Sequence, residues 1–178
     1  MWVFLAGDAM MFGALLAGYG ALRYGSLTWP VPAHVLGISL TAFMTFLLIC
    51  SSVTMVKALE AIRMGKPERM RNFLLLTMLG GAIFLGLQAY EWNHLIHTGL
   101  GFSGNPWGGA LFGTTFFIIT GFHGMHVTGG VIYLGIVMLR GVGGHYSAAR
   151  YQPVEVAGLY WHFVDLVWIM VFTFIYLL

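Results

Sequence analysis

The chain has 178 residues, of which 59% are hydrophobic, 16% aromatic and only 8% charged, with a formal net charge of +2 and a single cysteine, Cys50. Mean hydropathy is +0.85. Too few polar side chains are present to cover a water-facing surface, so a soluble globular domain is excluded, and a disordered segment needs the opposite balance. The charge is too small and scattered for a nucleic-acid binder, and one cysteine allows neither an internal disulfide nor a cysteine-based metal site.

A membrane-spanning helix needs roughly 20 apolar residues. Five runs qualify, over residues 2–22, 35–56, 73–92, 109–139 and 156–178. The runs are continuous and not alternating, which argues against a membrane barrel. The expectation is an all-α, polytopic bundle of five transmembrane helices forming one domain over residues 1–178. Trp29-Pro30-Val31-Pro32 and Ser103-Gly104-Asn105-Pro106 read as loops between spans.

The first span starts at Trp2 with no charged n-region before it; either the chain begins there or a short cytoplasmic head precedes it. Because the run contains Asp8 and lacks a small-residue cleavage site, it is expected to be retained. The loop after the second span holds Lys57, Arg63, Lys66, Arg69 and Arg71, and the loop after the fourth is flanked by Arg140 and Arg150. By the positive-inside tendency these two loops are cytoplasmic, which puts the N-terminus in the cytoplasm and the C-terminus outside, at the periplasmic face.

Ionisable groups inside a bilayer are costly and usually face protein or do chemistry. Glu60 and Glu68 lie in the basic loop; the other four acids lie in or at the edge of spans. Asp8 is roughly 10 Å into the first helix. It is either a proton-linked carboxyl or a protonated acid bonded to a neighbouring helix. Gln88 and Glu91 share one face of the third span, with His94 one turn on; His123 and His126 share a face of the fourth at similar depth. A hydrogen-bond network between the two pairs is expected, with haem or metal ligation as the sharper alternative. His162 and Asp165 form a third pair in the fifth span, with Glu155 seven residues earlier on the same face. They resemble either the ends of a proton relay or a buried pair that sets helix rotation. No serine or cysteine stands in a nucleophile motif. Gly109/Gly113, Ala14/Gly18 and Ala82/Gly86 are spaced as small-residue packing faces.

Several of these segments together resemble one family. Tyr160-Trp161-His162-Phe163-Val164-Asp165-Leu166-Val167-Trp168, followed by Phe174-Ile175-Tyr176, is similar to the last helix of subunit III of the haem–copper respiratory oxidases. Thr120-Gly121-Phe122-His123-Gly124-Met125-His126-Val127 resembles its TGFHGLHV signature, and Gln88-Ala89-Tyr90-Glu91 its Q-x-x-E, with Glu155 at the matching distance before the last motif. Met1-Trp2-Val3-Phe4-Leu5-Ala6-Gly7-Asp8 resembles the start of the first shared helix, with Asp8 where the family's carboxyl is usually Glu. The resemblance covers the whole chain and points to the five-helix bacterial form.

The resemblance implies a non-catalytic subunit of a cytochrome c or quinol oxidase in the bacterial inner membrane. Such a subunit carries no haem or copper of its own; both reside in the partner catalytic subunit. It packs beside subunit I and other oxidase subunits, within a respiratory supercomplex in some settings, holds phospholipid and supports proton uptake. Asp8 is then the proton-linked carboxyl, while Gln88, Glu91, His123, His126, Glu155, His162 and Asp165 form a buried polar network. The alternatives are a related protein attached to nitric oxide reductase and an independent membrane cytochrome or transporter.

Overall fold

The computed structural model describes residues 1–102, 106–109 and 111–178, with backbone alone at 33–34. The expected loop at Ser103-Gly104-Asn105 lies outside the described residues. The helices are α1 (Trp2–Gly25), α2 (Pro32–Val35), α3 (Ile38–Arg63), α4 (Pro67–His97), α5 (Phe112–Val142) and α6 (Gln152–Val171), and α6 runs on as a π-helical segment over Phe172–Leu177. Five of them are long and apolar enough to cross a membrane, the fifth being α6 with its π-helical end. Among the described residues the non-helical pairing is one isolated bridge, Ser147 with Arg150.

The helices depart from the apolar runs by up to seven residues, mostly by extending past them. The α3 helix continues through Lys57 and Arg63, and α4 begins at Pro67 and ends at His97. Hydropathy marks where side chains turn polar, whereas the backbone helix persists until Gly65, at φ +71°, and Gly99, at φ +101°, supply the left-handed turn. Pro32 and Pro67 stand in the first turns of α2 and α4, where a missing N–H is harmless.

Helices α3, α4, α5 and α6 close a four-membered ring, each packing on its two neighbours, and α1 lies outside it against α5 and α6. Trp161 fills the ring's centre. A Cβ on Gly81 of α4 would come within 2.5 Å of its indole, and one on Gly130 of α5 within 2.9 Å, so both positions must be glycine-sized. Its Nε1 donates to Ser51 Oγ (3.0 Å), and one heptad later Trp168 Nε1 donates to Thr45 Oγ1 (2.9 Å), both on α3. Burying each indole with its N–H satisfied combines a large apolar contact with no orphaned donor.

The glycines that bring helices close are not those expected from spacing. Gly109 precedes α5, so Gly109/Gly113 is not a helix face; Gly113 instead packs under the Gly101 carbonyl. Gly18 and Gly86 face open space. Packing depends on which face the ring requires, and small residues at spacing four also occur on the lipid side.

Candidate functional site

The peripheral helix α1 buries three side chains, Leu5, Phe12 and Tyr19, each seven residues apart. This narrow heptad seam brings Asp8, three after Leu5 and four before Phe12, onto the packed side. Asp8 Oδ2 lies 3.3 Å from His126 Nε2 on α5, both side chains being 14% exposed. Phe12 closes one side of the pair, edge-on to the His126 ring at 5.2 Å. From α6, Tyr160 OH donates to the His126 carbonyl (3.0 Å).

The other His126 nitrogen decides the chemistry. Nδ1 is 2.8 Å from the Phe122 carbonyl, four residues back on the same helix. A carbonyl only accepts, so Nδ1 carries a proton. Nε2 is then the ring nitrogen that faces Asp8 Oδ2, a buried oxygen that makes no hydrogen bond among the described residues. The pair thus sets a carboxyl and an imidazole, two groups able to carry protons, side by side. The Nδ1 bond to the Phe122 carbonyl fixes the ring with Nε2 turned towards Asp8.

His123, one turn earlier, is fully buried, and neither ring nitrogen has a hydrogen-bond partner among the described residues. It is enclosed by Trp168 (4.8 Å), Phe84 (5.7 Å) and Phe12 (6.5 Å). Its ring acts as aromatic filling of the bundle.

The expected bonds from Gln88 and Glu91 to the histidines are replaced by others. Gln88 Nε2 donates to the Thr120 carbonyl (2.7 Å). Gly124 makes room for it, since a Cβ there would lie 3.1 Å from Gln88 Oε1. Glu91 accepts from Thr41 Oγ1 on α3 and from Tyr176 OH on the π-helical segment, each at 3.0 Å. One buried carboxyl thereby ties α3, α4 and the end of α6 together. Asp165 Oδ2 accepts from Ser52 Oγ of α3 (2.7 Å). His162, one turn before it, is partly exposed and borders grooves that it shares with Trp2. Glu155 stands apart from the buried groups: in the first turn of α6, 47% exposed, it pairs with Arg63 Nη2 at 2.6 Å.

Sequence reading missed the hydroxyl partners Thr41, Ser52, Tyr160 and Tyr176. Their signal was a hydroxyl at the depth of each carboxyl or histidine, but depth alone does not say which helices adjoin. Among the described residues there is no group of three or more His, Cys, Asp or Glu that could hold a metal ion.

A family model described as cytochrome c oxidase subunit III matches residues 2–178. Cytochrome c oxidase subunit 3 of Thermostichus vulcanus is 37% identical over 99% of this chain and 84% of its own length. That of Corynebacterium diphtheriae is 38% identical over 98% of this chain and 84% of its own. Quinol oxidase subunit 3 of Bacillus subtilis is 31% identical over 99% and 84%. The five-span bundle, the ordered motifs and a match along the whole chain agree: the chain is an integral membrane protein of the cytochrome c oxidase subunit III family, the third subunit of haem–copper oxidases.

Proposed function

We propose that this chain is a non-catalytic subunit that packs beside the haem–copper subunit I, stabilises it during turnover and supports its proton uptake. The observation that carries the reading is the Asp8–His126 pair, a carboxyl 3.3 Å from an imidazole, each 14% exposed, between α1 and α5. A protonatable pair where α1 meets the outer side of the helical ring acts as a local proton reservoir for a neighbouring pathway and needs no redox group. The basic loops support an orientation with the N-terminus of α1 in the cytoplasm and the C-terminus outside, in a bacterial inner membrane; Asp8 in the cytoplasmic half then suits proton uptake. Gln88, Glu91, His123, His162 and Asp165 fix helix register around that pair.

Phospholipid binding is part of the same function. An apolar groove of about 660 Å³ runs between α4 and α5, bordered by Trp92, Phe102, Phe117, Phe122 and Met125, and suits an acyl chain. Haem and copper belong to the catalytic partner. The test is purification in mild detergent from native membranes. A large haem–copper subunit I in the same particle is the expected result; a nitric oxide reductase subunit, or a haem bound by this chain alone, would overturn it.

A further inference from the structure

The turn between α3 and α4 builds a second kind of site. A cavity of about 270 Å³ lies there, bordered by Lys57, Lys66 and Arg69 over a floor of Ala61, Met64 and Phe73. Lys57 Nζ sits 5.9 Å above the Phe73 ring. Glu60 also borders the cavity, yet among the described residues the ion pairs within 4.0 Å are Arg63–Glu155 and His126–Asp8, so none of the three cations has a carboxylate within that distance. Gly65, at φ +71°, lies in the turn between α3, which carries Lys57, and α4, whose first turn follows Lys66 and carries Arg69. Lys66 caps α4 without a side-chain acceptor, and the first intrahelical bond comes from Met70 N to Lys66 O, leaving the Glu68 and Arg69 amides at the positive end of a 31-residue helix.

The geometry points to a binding site for the phosphodiester headgroup of an anionic phospholipid, held by Lys57, Lys66 and Arg69, with the glycerol and first acyl carbons on Phe73 and Met64. Three unpaired cations around a concavity call for an anion. The apolar floor, at the point where two spans leave the hydrocarbon, selects a lipid over a free ion; the exposed Leu76, one turn beyond Phe73, continues the apolar path. This deepens the lipid-binding part of the function proposed above, on a surface distinct from the α4–α5 groove.

The chain has two lysines, Lys57 and Lys66, and both border this cavity, so amine acylation reads the site directly. The intact oxidase is placed in nanodiscs of phosphatidylcholine, with or without phosphatidylglycerol, or in phosphatidylcholine with millimolar inorganic phosphate. Acylation of the two lysines by a succinimidyl ester is followed by mass spectrometry. Phosphatidylglycerol is expected to slow it by about fivefold or more, and Arg69→Gln to remove about fivefold of that protection, the effect of one interfacial cation. Arg71→Gln, outside the cavity, should leave protection unchanged. Equal protection by inorganic phosphate would make the ligand a free anion. Equal loss in both variants would reduce the effect to surface potential. Full protection in phosphatidylcholine alone would mean that an acidic segment of a neighbouring subunit covers the cations. Each of these overturns the proposal, while co-purification of subunit I in the same sample reads the subunit assignment separately.

Discussion

Asp8 of the outermost helix reaches His126 of the ring at 3.3 Å, and the Phe122 carbonyl holds the opposite face of that imidazole at 2.8 Å. The carboxyl therefore has an imidazole as its nearest ionisable neighbour. The ring's second nitrogen already carries a proton for the Phe122 carbonyl, so Nε2 is the nitrogen left to face the acid.

Asp8→Asn keeps the size of the side chain and removes the ionisable carboxyl. Assembly should be unchanged, while the number of turnovers before inactivation, or the rate of proton uptake in vesicles, falls modestly. His126→Gln should produce the same fall, and the double variant no further loss, because both remove the same carboxyl–imidazole contact. Unchanged turnover and uptake in Asp8→Asn would remove the proton role.

Glu91 joins three helices through Thr41 and Tyr176. Tyr176→Phe should lower thermal stability by about 1 kcal/mol, within the range of membrane hydrogen bonds. Thr41→Val should act similarly, and Glu91→Gln combined with either should be non-additive, read from a double-mutant cycle on the unfolding midpoint of the complex. Additive effects would show that the two hydroxyls act independently of the carboxyl.

The centre of the ring is filled by Trp161 against Gly81 and Gly130. Gly81→Val should overpack it at a cost of about 1–3 kcal/mol, lowering the midpoint temperature and the yield of assembled complex. Pairing Gly81→Val with Trp161→Phe should recover part of the loss. Gly86→Val, which faces open space, should leave the midpoint unchanged.

Arg63 and Glu155 pair at 2.6 Å with both side chains 47% exposed. Screening by water and salt limits such a pair to about 1 kcal/mol or less. Arg63→Gln should change stability little, and that small change should vanish at high ionic strength. A large, salt-insensitive loss would mean that the cation–π contact of Arg63 with Tyr151, at 4.8 Å, carries the interaction instead.

Five apolar runs and their basic loops made the five spans legible, because burial in lipid demands unbroken apolar helices whatever lies beside them. Helix ends were less legible: α4 runs six residues before and five beyond its apolar run of 73–92, and only Gly65 and Gly99 stop the neighbouring turns. The pairing of polar groups was hidden. Gln88 and Glu91 look towards His123 and His126 by depth, yet Gln88 bonds the Thr120 carbonyl, Glu91 bonds Thr41 and Tyr176, and His126 meets Asp8.

From the sequence alone came the membrane class, the number of spans and the scarce ionisable positions, since these depend on local composition and helical period. Which carboxyl meets which partner was decided only by the tertiary structure. Depth along a helix follows from counting residues, but rotation and neighbour order follow from packing: the Trp161 indole seated on Gly81 and Gly130, and the heptad seam that lays α1 against α5. That seam, and not proximity in sequence, puts Asp8 beside His126.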